Sequence, residues 1–205
     1  TLEFAQNDNE KATILALTGI NKTDRTLDLI KKIDAFDKNN RNINLLITRE
    51  INKIEDWLLT TKITGLPQSI EPYDFYFSGE YDYSKDKRVM IQAPQMYRNE
   101  ISWNNNYFNL KNYEKDLKYA TDFRIFLVKL LKQKTEEVDK DFLRLVISHL
   151  CFMTNEPQNA IIYNKKVVGN SPKNQTQKAI NTILLLPFTQ NTLSNNTKNE
   201  LIKSL

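Results

Sequence analysis

Arg144 and His149 stand five positions apart in the stretch DFLRLVISHL, and by type they are the pair in this chain best suited to acid–base chemistry. A near-neutral imidazole can accept a proton from a ribose 2′-OH, while a guanidinium steadies the charge on a phosphate. His149 is the only histidine and Cys151 the only cysteine. One of each cannot build a typical transition-metal site, a CxxC redox pair or an intrachain disulfide. Gly19, Gly65, Gly79 and Gly169 are far apart, and none opens a GxxxxGK[ST] phosphate loop. Calcium loops of the D-x-[DN]-x-[DN]-G type and a GxSxG nucleophile elbow are absent. Carboxylate pairs such as Asp74 with Asp82, or Glu80 with Asp82, would suit glycoside chemistry. Beside Lys85 and Lys87 they read more simply as solubilising charges. No cofactor is implied.

The Arg-x4-His pattern resembles the signature of the HEPN ribonucleases, a family of all-helical domains. That resemblance implies metal-independent cleavage of RNA by Arg144 and His149, usually at a dimer interface. The residue after the Arg is usually polar in that family and is Leu145 here. Helical geometry bears on the pair as well. Five residues turn a regular helix by about 500°, which leaves the two side chains about 140° apart. Arg144 shares a polar stripe with Glu137, Asp141, Ser148 and Cys151, whereas His149 falls in an apolar arc with Leu145, Phe142 and Met153. A histidine so placed reads as a packed core residue.

A second concentration of chemistry lies in YDFYFSGEYDYSKDKR, residues 73–88, whose first eleven positions hold six aromatic rings. Tyr73, Phe75, Phe77, Tyr81 and Tyr83 share a parity that sets them on one side of an extended chain. Gly79 allows a bulge, and SKDK makes a turn before RVMIQ resumes a strand. The expectation is a β-hairpin with a ring-rich face. Either that face packs over helices, burying Phe75 and Phe77, or rings nearer the turn stay outside as a contact surface. Tyr and Trp combine contact area with a polar tip and are favoured at interfaces. The candidate binding residues are Tyr76, Tyr81, Tyr83, Tyr97 and Trp103, rimmed by Lys85, Lys87, Arg88 and Arg98.

The elements that must carry these groups are mostly helical. Glu10–Leu17 reads as a short helix ending at Gly19, and Thr23 or Asp24 can cap a second that turns Leu29, Ile30, Ile33 and Phe36 inward. Over 41–61, Ile43, Leu46, Ile47, Ile51, Ile54, Trp57 and Leu58 fall within about 140° of arc, the pattern of a core-facing helix. Glu50 intrudes on that stripe, and an edge position with Lys53 as its partner is expected. TGLPQSIEP (64–72) is a linker by its Gly and two Pro. Further helices are expected over 113–134, with Phe123, Phe126, Leu127, Leu130 and Leu131, and over 138–153. NAIIYNKKVVGN (159–170) suggests a second short hairpin. A helix from Ser171-Pro172 to Leu186, stopped by Pro187, and a last one over 196–204 follow. The implied fold is mainly α, a single domain over 10–205 of six to seven helices with one or two small β-hairpins. Residues 1–9 form a flexible N-terminal segment.

Composition narrows the partners. The 205 residues carry a net charge of +4, with the basic excess in the last third. That is a mild bias rather than a Lys/Arg stripe of the kind that tracks a nucleic acid, so no nucleic-acid partner is expected. The chain holds 24 Asn and 22 Lys against 8 Ala, 7 Arg and 4 Gly, a bias that AT-rich codons produce. No run of eighteen apolar residues is present, and the opening TLEFAQNDNEK has no Met, so a signal peptide or lipidated cysteine would lie upstream.

This Asn/Lys/Ile bias, the capped amphipathic helices and the near-absence of Cys together resemble the ectodomains of spirochaete outer-surface lipoproteins of the Borrelia type. The resemblance implies a non-enzymatic interaction domain held at the cell surface, on the outer membrane, by a lipid anchor. Its partners would be host or vector proteins or glycans, or it would act as an antigen and virulence factor. The HEPN-like ribonuclease is the alternative.

Overall fold

A computed structural model describes residues 2–60, 63 and 98–189, with side chains described except at 98–112, 137 and 138. Seven α-helices make up the described residues, together with a 3-10 turn at Leu2–Phe4 and a π-helical turn at Asp56–Thr60. They are α1 (Asp8–Asn21), α2 (Leu27–Phe36), α3 (Asn42–Glu55), α4 (Arg98–Gln133), α5 (Glu137–Met153), α6 (Pro157–Lys165) and α7 (Pro172–Thr189). The mainly helical class is thus as the sequence implies. The chain divides into two compact units, Thr1–Leu117 and Lys118–Leu205, with the boundary inside α4.

In the first unit α1, α2 and α3 pack against one another. Asn7 starts α1: its Oδ1 accepts the Glu10 N–H at 2.9 Å, and Glu10 returns the contact by accepting from the Asn7 amide and the Gln6 N–H. These reciprocal bonds satisfy donors that a bare helix start would leave open. The helix does not stop at Gly19. It runs on to Asn21, because Gly19 is a packing residue. A Cβ there would sit 2.5 Å from Leu29 Cδ2 and 3.0 Å from Leu46 Cδ2, so its missing side chain lets α2 and α3 close on α1. Thr26, not Thr23 or Asp24, occupies the position before α2. Between α2 and α3 the DKNNRN stretch folds through Asp37 and Asn40, whose side-chain oxygens accept from the Asn39 and Asn42 N–H groups.

The seven apolar residues expected to face inward from α3 and its continuation are all buried. Each contributes on the order of 1.5–3 kcal/mol of hydrophobic stabilisation, so this stripe is the main organiser of the unit. Ile30 and Ile33 complete the core from α2, and Ala12 and Ala16 from α1.

In the second unit α5, α6 and α7 pack mutually. Phe123, Leu127 and Leu130 of α4 are buried, as are Leu143, Ile147 and Leu150 of α5. α4 begins at Arg98, well before the expected 113. No Gly or Pro interrupts 98–133, and the modest helix propensity of Asn is a weak prior beside an uninterrupted run. α5 ends on a left-handed Asn155 (φ 60°), with the Glu156 N–H reaching back to the Cys151 carbonyl at 2.8 Å. Asn tolerates that conformation, and the wide reverse bond satisfies a terminal carbonyl.

The second expected hairpin is corrected. Residues 157–165 form α6, started by Pro157 at the first helical position. The buried pair Ala160 and Asn164 lies four residues apart, and the packing of that face overrides the strand preference of the β-branched residues beside it. α7 also outruns its expected end, passing through Pro187 to Thr189. A proline so near the last turn removes one backbone bond with little helix left to lose. The expected hairpin at 73–92 and the helix at 196–204 lie outside the described residues.

Candidate functional site

Three polar groupings could do chemistry, and each is built from helix ends and the turns beside them. In the first unit, α3 presents Glu50 and Lys53 one turn apart, their charged atoms 2.5 Å from each other. The carboxylate accepts both the backbone N–H (3.1 Å) and the hydroxyl of Thr26, and Lys53 Nζ donates to the Asp24 carbonyl at 2.6 Å. Lys53 is the partner that the sequence implies for Glu50. The edge position is not: Glu50 and Lys53 are 0% and 1% exposed. The stripe position drives the pair inward, and the backbone of the α1–α2 connection supplies what water would have given. Burial pulls the Lys53 ammonium below its usual pKa, with the Glu50 charge opposing that shift.

The same connection sends Arg25 to Asp116 on α4, 2.5 Å away, with the guanidinium 5.5 Å from the centre of the Trp57 ring. Lys53 lies 5.9 Å from that ring's centre. Trp57 sits in the π-helical turn, where Thr60 Oγ1 donates to Asp56 Oδ1 at 2.8 Å. One extra residue in a helical turn re-aims the side chains around it. From this turn the chain runs on into the ring-rich segment.

The second grouping is on α5. Arg144 Nη1 lies 2.8 Å from Asp141 Oδ1, and the fully buried Asp141 carboxylate also accepts the Val168 and Gly169 N–H groups, the latter at 2.6 Å. Gly169 is required for that approach, since a Cβ there would stand 2.7 Å from Asp141 Oδ2. Arg144 is thereby engaged in bracing the 167–169 loop. His149 is 9% exposed and stacks on Phe152 at 6.2 Å between ring centres, and Phe152 meets Phe188 of α7 edge-on at 6.4 Å. The apolar arc that the sequence assigns to His149 is where it sits. Ser148, between the two, donates to the Ala160 carbonyl and ties α5 to α6.

The third grouping surrounds Cys151, which is fully buried. Arg124 Nη1 lies 3.5 Å from its sulfur and 2.6 Å from Glu156 Oε2. Burial raises the thiol pKa, and the Arg124 contact offsets part of that rise. A buried thiol with a raised pKa is a poor nucleophile.

Of the expected binding residues, Tyr76, Tyr81, Tyr83, Lys85, Lys87, Arg88 and Tyr97 lie outside the described residues. Arg98 and Trp103 belong to the first turns of α4, where the backbone alone is described. Sequence reasoning missed the Arg25–Asp116 and Asp141–Gly169 contacts. Both join residues far apart along the chain, and no local pattern signals them. Among the described residues no three His, Cys, Asp or Glu side chains gather closely enough to hold a metal ion, and no helix is long and apolar enough to cross a membrane. No protein-family model, curated protein or solved structure matches the chain.

Proposed function

We propose that the chain is a non-enzymatic interaction domain displayed at a bacterial cell surface, the ectodomain of a lipid-anchored outer-membrane protein. It binds host or vector proteins or glycans, or serves as a surface antigen, through the ring-rich region 73–103. One observation carries this reading: the side chains with the chemistry for catalysis are taken up in holding helices together. Arg144 braces a loop through Asp141, His149 packs on Phe152, and Glu50 and Lys53 clamp a buried turn. The composition supports the same reading. The aromatic residues best suited to recognition are concentrated between Tyr73 and Trp103.

Protease shaving of intact source cells, followed by a blot for this protein, tests the location. Loss of the band with a cytoplasmic control intact supports surface display. A protected band overturns it and makes ribonuclease activity at Arg144 and His149 the next assay. For the binding surface, Tyr81→Ala with Tyr83→Ala is expected to leave the melting temperature within a few degrees while ligand capture falls. A large loss of stability would show those rings to be core.

A further inference from the structure

The apolar residues of α6 do not choose a face. Ala160, Ile161, Ile162 and Tyr163 are consecutive, so at about 100° per residue they stand in all four quarters of the helix. A surface helix is ordinarily turned by a one-sided apolar stripe, and this one has none. Its orientation is nevertheless definite. Ala160 and Asn164 are the buried residues of α6, while Ile162 on the opposite side is 48% exposed. An amide is inside where an isoleucine of the same helix is outside.

Hydrogen bonds account for that choice. Asn164 Nδ2 donates to the Lys178 carbonyl at 3.2 Å and to Thr182 Oγ1 at 2.8 Å, both on α7. One turn earlier, the Ala160 carbonyl accepts from Ser148 Oγ of α5 at 2.9 Å. These two residues of α6 are thus bonded to different helices, and turning α6 by one position would break both sets. The contacts at its ends are of another kind. Glu156 is held by Arg124 before the first turn, and Val168 and Gly169 by Asp141 after the last. They fix where α6 lies rather than which face it turns inward.

We propose that Asn164 is the rotational key of α6: its bonds to α7, backed by the Ser148 bond to α5, select one packing of a helix whose apolar pattern allows several. An amide buried away from its partners costs free energy. A rotation that carries Asn164 off Lys178 and Thr182 into an apolar contact is therefore disfavoured, whereas exchanging one isoleucine for the next changes little. The amide contributes uniqueness rather than bulk stability, as a single buried Asn does when it sets the register of a coiled coil. The key also decides what the second unit shows to its surroundings on this side. With Asn164 inward, the outer face of α6 is Ile162 flanked by Lys165 and Lys166, all exposed.

NMR of the 15N-labelled full chain tests the proposal. The parent should give a single amide peak for each residue of α6 after Pro157. Asn164→Ala should split or broaden those peaks, keep the helical circular dichroism signal, and move the melting temperature by only a few degrees. Adding Ile162→Lys to Asn164→Ala supplies the one-sided pattern that the helix lacks, and should restore single sharp peaks. That rescue separates rotation from stability, because a residue that only stabilises cannot be replaced by a lysine on the opposite, exposed side. Single α6 peaks in Asn164→Ala would overturn the proposal, as would a double variant that stays heterogeneous. Loss of the helical signal in Asn164→Ala would make the amide a stabiliser of the whole unit, and would equally overturn its role as a key.

Discussion

Glu50 and Lys53 meet at 2.5 Å inside the first unit, where neither has appreciable access to water. Their geometry satisfies both charges. Thr26 gives the carboxylate two further donors, and the Asp24 carbonyl accepts a hydrogen bond from the ammonium. Breaking a buried pair on one side leaves the other charge stranded, a loss of about 3–5 kcal/mol, whereas replacing both ions by apolar groups is often near neutral. Glu50→Gln and Lys53→Met should therefore each destabilise the chain by about that much in urea unfolding. The Glu50→Met/Lys53→Met double variant should lose far less than the sum of Glu50→Met and Lys53→Met. Additive losses would show that the pair is not coupled.

Gly19 sets two rules against each other. Gly→Ala inside a helix gains about 1 kcal/mol from propensity. Here the new methyl would meet Leu29 Cδ2 at 2.5 Å and the buried Leu46 Cδ2 at 3.0 Å, and overpacking of this kind costs about 1–3 kcal/mol. Leu29, half-buried, can give way. Leu46, held inside the core, cannot. The expected outcome is a net loss of up to about 2 kcal/mol for Gly19→Ala, measured by thermal or urea unfolding. Adding Leu29→Ala should make the Gly19→Ala step less costly than it is in the parent. A stabilised Gly19→Ala would mean the three helices are not held at this crossing.

The contrast between these two sites shows what the sequence carries. Ile43 to Leu58 repeat with the helical period, so their burial is legible from spacing alone. Glu50 is visible as an intruder on that stripe, but its depth depends on Asp24 and Thr26, which lie in another element and announce nothing locally. Gly19 reads as a helix stop because glycine is usually that. Only the approach of Leu29 and Leu46 makes it a packing residue. The same holds at 159–170, where β-branched residues suggest strands and the burial of Ala160 with Asn164 makes a helix. Arg144 and His149 are conspicuous by type, yet their neighbours Asp141, Gly169 and Phe152 decide what they do. Local periodicity marks the strongly amphipathic helices, while element ends, short segments and long-range polar contacts depend on packing that it does not carry.

Cys151 supplies a pH dependence whose sign can be worked out. Burial raises its folded-state pKa above the ordinary 9.0. Between those two values the unfolded chain has lost the thiol proton and the folded chain keeps it, so unfolding releases a proton and stability falls as pH rises. The contribution is complete below pH 9.0 and is lost as pH climbs through the folded value. Cys151→Ala removes this slope, so the gap in unfolding free energy between parent and variant should narrow above pH 9. A thiol reagent at pH 8 should leave the native protein unlabelled and react fully after unfolding. Rapid labelling of the native chain would contradict the burial.

His149 allows packing and catalysis to be separated by one substitution. Its ring stacks on Phe152 and is 9% exposed, so a ring of similar size should serve the packing role. His149→Phe keeps an aromatic ring on Phe152 but adds volume to a buried site, so it is expected to cost about 1–3 kcal/mol and stay folded. His149→Ala removes the ring contact and should cost about 3 kcal/mol or more. If the residue only packs, ribonuclease assays will find the parent and His149→Phe equally inactive. A parent that cleaves RNA, with His149→Phe folded but inert, would give the imidazole a chemical role, since phenylalanine keeps the stack and cannot move a proton. Arg144→Ala should then abolish cleavage as well. In a purely structural protein the same change would leave the buried Asp141 carboxylate without its ion partner and destabilise the second unit, although two backbone N–H groups still bond it.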